Sequence, residues 1–290
     1  MQPRPPRRLA GVLLPLLVLA IPVPAQEPAA AWARKLDAKL YHLISAGVTA
    51  LSCRIVDPRI TRLEADPEVQ DAHIAIWFRW PEPEGKFVTV TGMPDKYREI
   101  AEAIEGHPRG LVMTLIPPPY TDRWRDHVLT ARKRGGGGWI LTVWRPSPAG
   151  SQTPSEGNGD RPSPKGPAGP PAGVAHTVLT LDREGVPVLT VEVDTDGTRY
   201  QASRAYELRD GKYLLATTRI THKTPTGDET TRIDFEYVQT SGCWVVSRYT
   251  ISLFEGSGAP VADPDFPVTV EITDHRITRA SAPTVSPAEE

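Results

Sequence analysis

The chain has 290 residues, 33 Lys+Arg against 35 Asp+Glu, a formal net charge of −2, 39% hydrophobic residues and two cysteines. This balance argues against nucleic acid as a partner: phosphate binding wants clustered positive charge, and the only such stripe is Arg132-Lys133-Arg134. The length accommodates one large core or two small ones and does not choose between them.

Residues 1–25 read as a secretory signal. Arg4, Arg7 and Arg8 form a basic start, Leu9 to Ile21 an apolar stretch, and Val23-Pro24-Ala25 a small-residue exit, which predicts cleavage before Gln26. The apolar stretch is shorter than the ~20 residues a bilayer crossing requires, and Pro15 and Pro22 interrupt it, so no stable membrane anchor is expected. Removing it takes three basic residues and no acidic ones, leaving 30 against 35 and a net charge of −5. The expected location is the periplasm or the secreted space. In that oxidising setting the two cysteines fit either one disulfide, Cys53 to Cys243, or two separate buried thiols.

The first half is predicted to mix helix and strand. Over residues 29–47, Trp32, Leu36, Leu40, Leu43 and Gly47 recur at three- and four-residue intervals, predicting an amphipathic helix. A second helix is predicted over Asp95 to Glu105, with Pro94 at its start and Gly106 at its end. A third is predicted over Thr121 to Arg134, Thr121 serving as N-cap and the basic run complementing the negative end. Strands are expected at Leu51 to Val56, His73 to Trp80, Lys86 to Thr91, Leu111 to Ile116 and Trp139 to Trp144. Residues 147–173 are Pro, Gly and Ser with almost nothing apolar to bury, and read as a disordered insert; residues 280–290 read as a disordered tail. Between them, residues 26–279 read as a single α+β domain interrupted by the insert.

After the insert the pattern is nearly all strand: Ala175 to Leu181, Pro187 to Val193, Thr198 to Leu208, Lys212 to His222, Thr230 to Gln239, Cys243 to Phe254 and Val268 to Ile277. Short Gly-, Asp- and Pro-containing turns between them predict an antiparallel meander. Ile233, Phe235 and Tyr237 alternate with Arg232, Asp234 and Glu236, and Tyr249, Ile251 and Leu253 repeat the apolar side in the next strand. The predicted sheet has one apolar and one solvated face, and the amphipathic helices are the available cover. The candidate binding residues are therefore Ile233, Phe235, Tyr237, Tyr249, Ile251 and Leu253.

No catalytic motif emerges. Gly135 to Gly138 follow a basic helix end and precede a strand, the reverse of a phosphate loop, and read as a flexible helix stop. The seven histidines stand singly, without metal-ligand spacing, so no metal or cofactor is expected. Ser52-Cys53 and Ser241-Gly242-Cys243 lack a nucleophile elbow or local base. Asp234 and Glu236 share a strand face that solvation explains. Trp77, Trp80, Trp139 and Trp144 fit core or sheet edge better than a ligand groove.

Asp210-Gly211-Lys212-Tyr213-Leu214-Leu215, Ile233-Asp234-Phe235-Glu236-Tyr237 and Gly242-Cys243-Trp244-Val245-Val246-Ser247-Arg248-Tyr249 resemble the closing strands of the LolA/RseB-like family of exported bacterial proteins, the outer-membrane lipoprotein-sorting protein-like group. The helix at residues 29–47 fits the same order. The resemblance implies a strongly curved antiparallel sheet, an incomplete barrel covered by helices, whose concave side holds acyl chains of lipoproteins or a related lipid. It carries over no ligand-binding residue. The expected function is an exported carrier for an apolar ligand, without catalysis. The alternatives are a secreted hydrolase with a site assembled from distant residues, and an envelope interaction module with no small-molecule ligand. An open cavity of ~300 Å³ or more on the apolar face favours the carrier, and a filled face favours a structural role.

Overall fold

The computed structural model describes residues 29–280 except 68, 70–71, 82–86, 107–108, 147–169, 171–173 and 225–226. The predicted signal, almost all of the insert and almost all of the tail lie outside the described residues. Antiparallel sheet dominates, with few helices. Twelve strands form one open sheet in the order β3-β2-β1-β12-β11-β10-β9-β8-β7-β6-β5-β4. They are β1 (Val48–Val56), β2 (Ala75–Trp80), β3 (Val88–Thr91), β4 (Val128–Lys133), β5 (Trp139–Trp144), β6 (His176–Leu181), β7 (Pro187–Val193), β8 (Arg199–Arg209), β9 (Lys212–Thr224), β10 (Gly227–Thr240), β11 (Cys243–Glu255) and β12 (Val268–Arg279). From β5 to β12 each strand pairs with its predecessor, and over β6 to β12 this is the antiparallel meander that the turn-rich sequence predicts. The N-terminal hairpins then complete the sheet through β1 on β12.

The helices are α1 (Ala29–Lys39), α2 (Pro58–Leu63), α3 (Arg98–Gly106), α4 (Arg109–Leu115) and α5 (Tyr120–Arg123), with a 3-10 turn at Asp95–Tyr97 leading into α3. Three segments differ from the sequence expectation. The helix predicted to reach Gly47 stops at Lys39, because Leu40 bridges to Tyr213 and the Tyr41 N–H donates to the Tyr213 carbonyl at 3.0 Å. Leu40 and Leu43 are still buried, so the apolar spacing is met by turns. The predicted strand at Leu111 to Ile116 is α4, a short apolar run whose period does not distinguish helix from strand. The predicted helix at Thr121 to Arg134 is one turn of α5 followed by β4, where Leu129 and Ala131 alternate inward and Arg132 and Lys133 remain exposed.

The four glycines accordingly form the β4–β5 hairpin turn instead of a helix stop. Gly136, Gly137 and Gly138 all have positive φ, between +82° and +98°. At Gly138 a Cβ would stand 2.3 Å from the Leu181 carbonyl oxygen, so the close approach to the neighbouring strand requires glycine.

Two apolar clusters lie along the sheet. The larger gathers Val48, Leu51, Cys53, Phe78, Leu115, Phe235, Tyr249 and Val270 from β1–β3, β10–β12 and α4. The smaller packs Trp32 and Leu36 of α1, with Tyr120 and Trp124, on Leu129, Leu141, Leu179 and Leu181 of β4–β6. Asp37 ties α1 to α5: its carboxylate accepts the Tyr120 N–H at 2.7 Å and the Thr121 N–H at 2.9 Å, and His42 Nε2 lies 3.2 Å from Oδ1. At one sheet edge the Val90 N–H of β3 donates to Glu105 Oε1 at 2.9 Å. The other edge is β4.

The cysteines are free thiols, both buried, which corrects the bridged alternative. Cys53 is on β1 and Cys243 on β11, with β12 between those strands. At ~4.8 Å per strand their backbones stand roughly 10 Å apart, beyond the ~4.4–6.8 Å that a disulfide spans. Burial pushes the Cys53 thiol up to about 12.

Candidate functional site

The centre of the sheet, β8 to β10, belongs to neither cluster along most of its length, and a cavity of about 390 Å³ opens over it. Its floor is Arg204 and Tyr206 of β8, Thr218 and Ile220 of β9, and Ile233, Phe235 and Tyr237 of β10. Register places these on one face. Arg204 lies opposite Thr218, and Thr218 opposite Ile233, and directly paired antiparallel residues project to the same side. The opposing wall is Leu40 to Leu43 after α1, Gly110 to Leu115 of α4 except Leu111 and Val112, Pro117, Pro118, and Tyr120 and Arg123 of α5.

Of the six residues expected on the apolar face, the structure brings three to this cavity. Ile233, Phe235 and Tyr237 line it. Tyr249 and Ile251 lie across from Phe235 and Ile233, on the same side of the sheet, and share the larger cluster with them but do not line the cavity. Leu253, opposite Thr231, is half-buried and outside the cavity. A bulge explains a further departure. β10–β11 pairing slips between Glu236 and Tyr237, skipping Ser247, so Val246 faces Tyr237 and joins the lining.

Polar groups interrupt the apolar lining, among them Tyr41, Thr218, Tyr237 and Trp244. The Tyr237 hydroxyl donates to the Leu215 carbonyl at 2.9 Å, and the Tyr41 hydroxyl accepts the Trp244 N–H at 2.9 Å. Burial raises the pKa of Tyr206 and Tyr237 and pushes Tyr41 up to about 12, so these phenols remain neutral over the ordinary range. Two guanidiniums border the same space. Arg204 donates to the Thr190 hydroxyl, and Arg123 lies over the Tyr120 ring at 5.1 Å from its centroid. Among the described residues no Asp or Glu contributes to the lining. Sequence reading missed both arginines. Arg204 sits in a strand where a charged residue signals the solvated face, and its pairing with Thr218 is what places it on the cavity side.

The other sequence candidates have structural explanations. Asp234 pairs with Arg232 at 2.8 Å and accepts from Thr217 at 2.7 Å, while Glu236 and Glu271 flank Arg248. Trp144 is buried, and Trp139 packs edge-on to Trp32 with ring centroids 5.0 Å apart. Trp77 and Trp80 border a different cleft of about 590 Å³ beside Arg79 and Arg276. The tryptophan that reaches the central cavity is Trp244. Ser241 is exposed at the β10–β11 turn, and an activated cysteine would need a depressed pKa, the opposite of what burial gives Cys53.

Among the described residues no group of three or more His, Cys, Asp or Glu is placed to hold a metal ion, and no helix is long and apolar enough to cross a membrane. No protein-family model, curated protein or solved structure matches this chain.

Proposed function

We propose that this chain is an exported binding or carrier protein for an apolar ligand, an acyl chain, lipid or lipoprotein, held without catalysis over the central strands. In this reading the sheet curves into an incomplete barrel around the ligand, with α1, α4 and α5 as its cover. This is the arrangement that the resemblance to LolA/RseB-like proteins implies. The observation that carries the proposal is the cavity of about 390 Å³ between the two apolar clusters, walled by Ile220, Ile233, Phe235 and Tyr237. That volume falls within the ~300–1,000 Å³ of small-molecule sites. A sheet face serving structure alone would fill such a space with its own side chains, because interiors pack to crystal-like density.

The test is titration of the native protein with a fluorescent fatty-acid probe. Saturable uptake at one site per chain is expected, and Ile220→Trp, which places an indole in the open space, abolishes it. Because the new side chain enters a void, stability falls by no more than the ~1–3 kcal/mol of overpacking. A folded protein that takes up no probe overturns the proposal.

A further inference from the structure

The lining of the central cavity mixes apolar side chains with polar ones such as Thr114, Thr218 and Tyr237, and its fixed charge has a single sign. Arg123 and Arg204 both border the cavity, and among the described residues none of those lining it is acidic. Among the described residues neither guanidinium has a carboxylate partner in an ion pair. Arg204 is held by the neutral Thr190 hydroxyl, and Arg123 rests on the face of Tyr120. The other half-buried arginines behave differently: Arg59, Arg209 and Arg232 each lie within 2.9 Å of an Asp or Glu oxygen, and the described arginines that lack such a partner are otherwise exposed.

Arg123 and Arg204 are also half-buried, Thr190 is buried, and the Tyr206 phenol between them feels both charges. Taking a cation partly out of water without an anion is unfavourable, and in a chain with an acidic excess it is an unexpected place for two of them. A guanidinium presents a fork of N–H donors that matches the oxygens of a carboxylate or phosphate. Ile220, Ile233, Phe235 and Val246 supply an apolar surface in the same cavity.

We infer that the cavity selects an anionic single-chain amphiphile, its tail along the apolar floor and its carboxylate or phosphate head between Arg123 and Arg204. This rests on the proposed carrier function and narrows its ligand. The charge requirement is separable from the cavity itself, since an uncharged chain of equal length fills the same apolar space.

The test compares myristate, tetradecyl phosphate and myristyl alcohol by calorimetric titration of the native protein at low salt. Either anion is expected to bind about tenfold or more tightly than the alcohol, the worth of one to two charge-assisted hydrogen bonds. The tighter anion identifies the head. In the double variant Arg123→Met, Arg204→Met the anions should fall to the level of the alcohol, with alcohol binding retained. Equal binding of anions and alcohol by the unmodified protein overturns the head-group assignment and leaves the carrier reading standing. Binding of none of the three overturns both. The comparison within the unmodified protein does not depend on whether the double variant folds.

Discussion

Phe235 and Tyr249 face each other across β10 and β11 with ring centroids 6.5 Å apart, yet only one of them borders the cavity. Both belong to the larger cluster with Cys53, and Phe235 in addition walls the cavity. Truncation should separate the two roles. Tyr249→Ala is expected to cost about 3–5 kcal/mol, the usual range for a buried aromatic, and Phe235→Ala to fall at the low end because one side of its ring already meets open space. Urea unfolding measures the cost. Probe titration should show altered affinity for Phe235→Ala and unchanged affinity for Tyr249→Ala under conditions where both are folded.

Asp37 fastens α5 to α1 through two backbone N–H groups. Burial pushes its pKa upward, but the interactions with His42 and with the Thr121 and Tyr120 N–H groups outweigh that, leaving it below the usual 3.8. A carboxyl depressed in the folded state adds stability above its unfolded pKa, and that contribution disappears as pH falls through the folded value. Asp37→Asn should therefore lose about 1–3 kcal/mol near neutral pH. The difference from the unmodified protein should shrink in acid below about pH 4, as followed by thermal melts across pH.

The thiols provide a direct check on the sheet order. Cys53 and Cys243 are fully buried on strands separated by β12. A thiol-reactive dye should label neither residue in the native protein and both after denaturation, with no reductant added. Labelling of none after denaturation would show a bridge and would require β1 and β11 to be closer than this sheet allows.

Gly135 and Gly138 belong to one turn but should respond oppositely. A Cβ at Gly135 meets nothing within 4 Å, whereas at Gly138 it meets the Leu181 carbonyl and a φ of +82°. Gly135→Ala is expected to change stability by less than about 1 kcal/mol. Gly138→Ala should cost at least about 2 kcal/mol, from left-handed strain plus the displacement of β6. Chemical denaturation of the pair measures both.

The late strands were legible because their period is two and their turns carry their own chemistry. Pro187–Val193 appears with its predicted bounds, His176–Leu181 and Arg199–Arg209 differ from theirs by one residue, and the last four strands run one to three residues beyond theirs at an end. The first half was less legible where a short apolar run has no distinguishing period. Leu111 to Ile116 satisfies either a strand or a helix, and the run before Gly135 has a basic end that suits an exposed edge strand as well as a helix terminus. Ile233, Phe235 and Tyr237 could be placed on one face from alternation alone. Which part of that face stays open depends on where α1 stops and where α5 is fastened, and those are long-range contacts made by Tyr213 and Asp37. Arg123 and Arg204 were invisible for the same reason: nothing local marks a charge that turns inward.

An open twelve-stranded sheet has two ends at which a foreign strand can dock, the usual beginning of fibre growth. Here β3 is only four residues long and one of its N–H groups is already taken by Glu105. At the far end β4 carries Arg132 and Lys133 side by side in water, so a second copy approaching edge to edge meets like charge. Both termini of the ladder thus carry features that disfavour edge-to-edge strand addition.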